Sequence, residues 1–180
     1  MFDQFMNYFN EKNRIEDTDN MYDAFILQLG GKAFGKGVFN SFSDKNVEQW
    51  TEIIGEAFPD FKGKFKAFGY DWLGRCFGID LRDETDGNIL LFEIGTNDIL
   101  EIPCSFEKFL NEEIPLNSDA CLAEPFFNEW MDYSKTELRY GRCIGYKVPL
   151  FLGGADTVAN LEDSDMEVYW GLITQIKNQI

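Results

Sequence analysis

The sequence predicts an α+β fold in which a central antiparallel β-meander is packed with several helices. Short apolar segments alternate with polar turns in the middle of the chain, between residues 73 and 102. Amphipathic helical patterns lie on both sides of this region. The chain has 180 residues, of which 44% are hydrophobic, so it can bury a sizeable core. Central strands with flanking helices are typical of α+β proteins and not of alternating β–α units.

Three consecutive segments form the predicted meander. The apolar residues of 73–82 follow a glycine turn and alternate as in a strand. The segments 88–94 and 99–102 then follow the polar turns at 83–87 and 95–98. Short turns between neighbouring strands predict antiparallel pairing.

The elements before the meander are mainly helical. Apolar residues recur with helical spacing in 2–9, and 21–29 is a second apolar element whose pattern slightly favours a helix. A strand is predicted at 38–42. The segment 45–58 has a clear apolar face that includes Trp50, so we expect this tryptophan to be buried. Ser43 and Asp44 are the predicted N-cap residues.

The segment 61–68 alternates lysines with apolar or small residues, which predicts an edge strand with outward lysines. Gly69 to Asp71 is then predicted to be a turn, because glycine and aspartate favour turns. Here the aromatic residues Tyr70 and Trp72 flank an acid.

Further helices are predicted after the meander, at 105–113 and 125–138 and again after an N-cap at Ser164 or Asp165. The segment 140–154 is predicted to be extended and to enter a glycine turn. We expect residues 1–102 to form an N-terminal region with the central sheet and residues 103–180 a helical C-terminal region. The two would be parts of one continuous unit.

Charge and residue usage limit the possible functions. The sequence contains 32 acidic residues, 16 basic residues and no histidine, for a net charge of −16. Such a field repels nucleic acid and anionic membranes and attracts basic partners. The absence of histidine excludes histidine-based catalysis and histidine-bearing zinc sites. The four cysteines lack metal-binding spacing, so we expect free thiols, no metal and no cofactor. The first residues do not resemble a signal peptide, which predicts a cytoplasmic protein.

Three blocks of the sequence carry a family resemblance: AFPDFKGKFKAFGYDWLGRCFGIDL, EIPCSFEKFLNEEI and PLFLGGADTVANLEDSDMEVYWG. They resemble bacterial proteins that have a GAD-like N-terminal region and a C-terminal domain associated with immunity against type VI secretion DNase effectors. The middle of the chain is also similar to SUKH immunity proteins. The resemblance implies an α+β protein that binds and neutralises a basic toxin, a secreted nuclease, without catalysis.

The sequence suggests two groups of partner-binding residues. Tyr70, Asp71 and Trp72 combine aromatic anchors with an acid, as binding hot spots often do. Alternatively, the two aromatic residues belong to the core. The acidic turn at Asp83, Glu84 and Asp86 is the second group; its alternative role is that of a solvated turn.

Two other functions stay open at this stage. The protein could be a small regulatory domain with a non-toxin partner. It could also be a hydrolase, because Asp71, Asp80, Asp83 and Asp86 offer hard oxygen ligands for Mg²⁺ or Ca²⁺. The sequence does not determine the oligomeric state.

Overall fold

A computed structural model describes residues 1–12, 15–16, 19–82 and 87–179. The larger of two sheets has six antiparallel strands, which lie side by side in the order in which they occur along the chain. A two-stranded antiparallel sheet lies in the C-terminal part. The first contains β1 (Ala33–Phe34), β2 (Phe39–Ser41), β3 (Phe65–Asp71), β4 (Cys76–Asp80), β5 (Ile89–Glu93) and β6 (Asp98–Ile102). The second contains β7 (Arg142–Tyr146) and β8 (Leu161–Asp165). The predicted α+β class and the meander of β4, β5 and β6 are confirmed.

Helices surround the larger sheet. They are α1 (Asp3–Tyr8), α2 (Met21–Leu29), α3 (Val47–Ala57), α4 (Phe106–Lys108), α5 (Ile114–Leu116), α6 (Ser118–Cys121), α7 (Glu124–Ser134) and α8 (Met166–Lys177). A π-helical segment, Phe109–Glu113, joins α4 to α5. The side chain of Ser105 caps α4, and Asp165, one of the two predicted N-cap residues, caps α8.

Both faces of the large sheet are covered by aromatic side chains. On one face, Phe68 of β3 packs against Phe106 of α4, with ring centroids 4.9 Å apart. On the other face, Trp50 of α3 packs against Tyr70 and Trp170. Trp50 is buried, so the prediction of its burial is confirmed. The core therefore has two layers, one on each side of the sheet, and the many phenylalanines fill both.

The prediction of an edge strand at 61–68 holds only in part. The strand begins at Phe65, and its residues 65–67 pair with β4 alone, as at a sheet edge. β3 then extends through Gly69–Asp71, where the sequence predicts a turn, and there it pairs with both β2 and β4. A β-bulge between Ala67 and Gly69 interrupts the register. In a regular strand, side chains point to the two faces of the sheet in turn, and a bulge interrupts this alternation. For this reason Lys66 is exposed, whereas the residues that follow it in β3 are all buried.

Other boundaries differ from the predictions in smaller ways. α3 begins at Val47 after Asn46, and neither Ser43 nor Asp44 is its N-cap. The helix predicted at 125–138 ends at Ser134, where Lys135 adopts a left-handed conformation. The C-terminal part contains the β7–β8 sheet in addition to helices. The division at residue 102 stays a prediction.

All four cysteines are free thiols, as predicted, and three of them are buried. Within the described ranges, no helix has the length and apolar character needed to cross a membrane.

Candidate functional site

The predicted binding residues Tyr70, Asp71 and Trp72 lie in the interior, each at most 1% exposed. The Tyr70 hydroxyl accepts a hydrogen bond from the Gly141 N–H at 2.7 Å. The indole N–H of Trp72 donates to the Leu122 carbonyl at 2.9 Å. The alternative interpretation of the two aromatic residues as core residues is therefore confirmed. Direct contact of this trio with a partner stays a prediction, and it would require these side chains to leave the interior.

Asp71 belongs to a buried ionic cluster. Its Oδ1 accepts hydrogen bonds from the N–H groups of Leu73 and Arg75, both at 3.0 Å. Its Oδ2 accepts from the Arg75 Nε at 2.6 Å, and the same guanidinium donates to Glu93 at 2.8 Å. Burial raises the pKa of Asp71 to about 6, although Arg75 favours the charged form. Both carboxylate oxygens are thus occupied by protein donors, so the cluster ties β3, β4 and β5 together.

Asp80 also binds an arginine. Its carboxylate accepts hydrogen bonds from the Arg82 side chain, the shortest at 2.6 Å, and these bonds lower the pKa of Asp80. Asp71 is at one end of β3, whereas Asp80 pairs with Phe65 at the other end, six residues away, or roughly 20 Å. Asp71 and Asp80 therefore cannot bind the same metal ion. Asp83, Glu84 and Asp86 lie outside the described residues.

A small cleft of about 160 Å³ lies where the large sheet meets the C-terminal part. In its lining, the Tyr146 hydroxyl donates to Asp156 at 2.7 Å, and the Thr96 hydroxyl donates to Glu93 at 3.2 Å. Arg75 reaches the same cleft and also donates to the Cys121 carbonyl at 3.2 Å. These polar groups bond one another, which indicates a structural junction.

A larger groove, of about 720 Å³, lies between α2 and α3. Both helices are attached to the backbone of the same residue of β3, Ala67. The Tyr22 hydroxyl of α2 donates to the Ala67 carbonyl at 2.8 Å, and the Ala67 N–H donates to the Thr51 hydroxyl of α3 at 3.3 Å. β2 pairs with β3 only at residues 69–71, so side chains of the two helices occupy backbone positions that a longer β2 would take. This arrangement holds the helices apart and keeps the groove open.

The walls of the groove combine apolar and acidic side chains. Leu27 is 70% exposed, and the buried Ile26 and Val47 border the same space. Among the residues that the structure describes, four acids line the groove, and a neighbouring cleft that shares Leu27 adds two more. The six acids are Glu16, Asp19, Asp23, Asp44, Glu48 and Glu52. We call the groove and this neighbouring cleft together the α2–α3 groove. Leu27 lies where the two meet.

Acidic side chains outnumber basic ones among the described residues that line the groove. Burial raises the pKa of the Tyr22 hydroxyl to about 12, and the nearby carboxylates of Asp23 and Glu48 contribute to the increase. Among the described lining residues the basic one is Lys66, whose ammonium lies 5.5 Å from the centre of the Tyr22 ring. Lys62 pairs with Glu52 at 3.4 Å, but both side chains are exposed, so the pair is weak.

Sequence reasoning missed the α2–α3 groove. Glu48 and Glu52 lie four residues apart and therefore on one face of α3. That spacing predicts a polar face on α3, but it does not show which other element lies opposite this face. The missing information was the position of α2, which lies across β3 from α3.

Comparisons with known proteins give one match to the C-terminal part and one to nearly the whole chain. Residues 105–177 match the family model described as T6SS immunity protein Tdi1, C-terminal. A solved structure, described as the crystal structure of Atu4351 from Agrobacterium tumefaciens, matches with a TM-score of 0.64 and 17% sequence identity. The match covers 97% of this chain and 89% of that chain, and at this identity it shows the fold alone. No curated protein matches the sequence significantly. Residues 105–177 are therefore similar to the C-terminal part of a type VI secretion immunity protein.

Proposed function

We propose that this protein is a non-catalytic immunity protein that binds and neutralises a toxin. The observation that carries the proposal is the match of residues 105–177 to the C-terminal model of a type VI secretion immunity protein. The matched segment begins at the N-cap of α4 and ends in the last turn of α8, so it includes complete structural elements.

The chemistry of the chain favours a basic toxin, and we propose a nuclease. A nuclease binds the phosphate backbone through lysine and arginine side chains. An acidic protein can occupy such a surface, attract it from a distance and exclude nucleic acid from it. The net charge of −16 supplies a field of the required sign.

Neutralisation by binding needs no reacting group in this protein. The acids that suggested a hydrolase are engaged in other contacts where they are described, since Asp71 binds Arg75 and Asp80 binds Arg82. A regulatory domain with a non-toxin partner remains the alternative from the sequence. It predicts no effect on a toxin.

The experiment needs a candidate nuclease, for which the reading frames beside this gene are searched first, and it titrates the activity of that nuclease. The purified nuclease is held at a fixed concentration well above the dissociation constant, and cleavage of duplex DNA is measured as this protein is added. We expect activity to fall linearly to an endpoint at a fixed molar ratio. The nuclease recovered after denaturing separation should have an unchanged mass.

Two results would overturn the proposal. Inactivation by much less than one equivalent, with a change in the mass of the nuclease, would show that this protein is an enzyme. Full nuclease activity in the presence of excess folded protein would overturn the proposed neutralisation of a nuclease.

A further inference from the structure

We propose that the α2–α3 groove receives a basic amphipathic helix of the partner protein. This inference deepens the proposed function, because it names the surface and the kind of segment that it binds. It rests on the construction of the groove, its apolar centre and its charge.

The groove is long enough to hold a short helix. Its walls are helices of nine and eleven residues, so α2 provides a wall about 13 Å long. That length corresponds to two and a half turns of a partner helix. The attachment of Tyr22 and Thr51 to the backbone of Ala67 fixes the separation of the walls before any partner arrives. A groove that is already formed loses little entropy on binding.

The C-terminal segment supports both walls from behind. Phe106 of α4 packs against Phe25 and Tyr22 of α2, with ring centroids 5.5 and 6.1 Å apart. Trp170 of α8 packs against Trp50 of α3 at 6.3 Å. Phe106 and Trp170 both belong to the segment similar to an immunity protein. That segment therefore holds in place a groove that is built from the N-terminal region.

The apolar and charged groups have the pattern that an amphipathic helix would complement. Leu27 is exposed at the boundary between the groove and the neighbouring cleft, where it can contact an apolar side chain of a ligand. Glu48 and Glu52 are one helical turn apart, about 6 Å along α3. Lysine or arginine side chains spaced four residues apart on a partner helix have the same repeat. Asp23 on the opposite wall can bind the other flank of that helix.

The test uses a synthetic peptide as a probe and the candidate nuclease as the partner. The peptide has about fourteen residues, because shorter isolated helices are unstable in water. It carries leucines along one face and lysine and arginine on the flanks. A peptide of the same composition in scrambled order is its control. Fluorescence anisotropy measures binding at low salt, and the nuclease titration is run in parallel.

Two variants of the groove are compared with two matched controls. Asp23→Lys with Glu48→Lys reverses one charge on each wall, and Glu129→Lys with Asp132→Lys makes the same change in net charge on exposed positions of α7. Leu27→Ala removes the exposed apolar centre, and Leu116→Ala removes another exposed leucine. Thermal melting checks that all variants are folded.

We expect the charge reversal in the groove to weaken binding of both the peptide and the nuclease by about tenfold or more. Leu27→Ala should weaken both by about tenfold. The control variants should change binding by less than about twofold, and the scrambled peptide should bind weakly. Equal binding by groove and control variants would overturn this inference.

The two proposals can fail separately. Stoichiometric neutralisation that persists in the folded groove variants would overturn the groove inference and leave the proposed function intact. A nuclease unaffected by the wild-type protein, together with specific binding of the peptide in the groove, would overturn the proposed function alone. Peptide binding with equal affinity for the scrambled sequence would indicate charge attraction without a helix-binding site and would also overturn the inference.

Discussion

Trp72 provides a direct test of whether the central aromatic residues form the core or bind a partner. Its indole ring lies between the sheet and α7, at 5.4 Å from Phe126 and 5.3 Å from Phe127, and it is fully buried. Its N–H donates to the buried carbonyl of Leu122. We therefore expect Trp72 to be a main connection between the N-terminal sheet and the C-terminal helices.

The two parts of this connection can be separated by substitution. Trp72→Ala removes a large buried side chain and should cost about 3–5 kcal/mol of unfolding free energy. Trp72→Phe keeps an aromatic ring but leaves the Leu122 carbonyl unpaired, so it should cost about 1–3 kcal/mol. For a domain of this size, the alanine variant should melt roughly 6–20 °C lower.

The assay is urea unfolding followed by circular dichroism, with Leu116→Ala as a surface control that should change stability by less than about 0.5 kcal/mol. Binding of the nuclease is then measured at a temperature where Trp72→Phe is fully folded. We expect that variant to bind like the wild type. An unchanged unfolding midpoint combined with much faster dissociation would refute the core assignment and restore Trp72 as a partner anchor.

Three further predictions follow from buried groups. Trp50→Ala should cost about 3–5 kcal/mol in urea unfolding, and an unchanged midpoint would contradict its packing against α8. Because Arg82 lowers the pKa of Asp80, the folded state holds that proton less tightly than the unfolded chain. The wild type should therefore have a higher free energy of unfolding than Asp80→Asn at pH 7, and this difference should shrink below about pH 4. A difference that grows on acidification would contradict this. Alkylation at neutral pH should label Cys104 first and slowly, because burial raises its pKa to about 11, and the three buried thiols should react only after unfolding. Rapid labelling of all four in the native protein would contradict their burial.

The local pattern of the sequence was sufficient to predict the β4–β6 meander and α3. The strands β4, β5 and β6 follow one another in the sequence, so apolar runs and the turn residues between them specify their pairing. The position of Trp50 on the apolar face of α3 follows from helical spacing alone. These features depend on contacts that are close in the chain.

The remaining features depend on contacts between distant segments. Gly69–Asp71 has the composition of a turn, yet it forms the end of β3 because β2 pairs with it from thirty residues earlier in the chain. Asp71 resembled a surface acid because nothing in its local sequence indicates that Arg75 and Glu93 would enclose it. The α2–α3 groove requires α2, α3 and β3 to meet, and no sequence pattern specifies that meeting.

The measurement that tests the account most directly is a competition between this protein and duplex DNA for a catalytically inactive form of the candidate nuclease. The account predicts that this protein displaces labelled DNA in proportion to its concentration, because an acidic surface and phosphates compete for the same basic groups. It also predicts that association slows as salt is raised, since the Debye length falls from about 10 Å at 0.1 M to about 3 Å at 1 M. A stable ternary complex of protein, nuclease and DNA, formed at a salt-independent rate, would contradict the account.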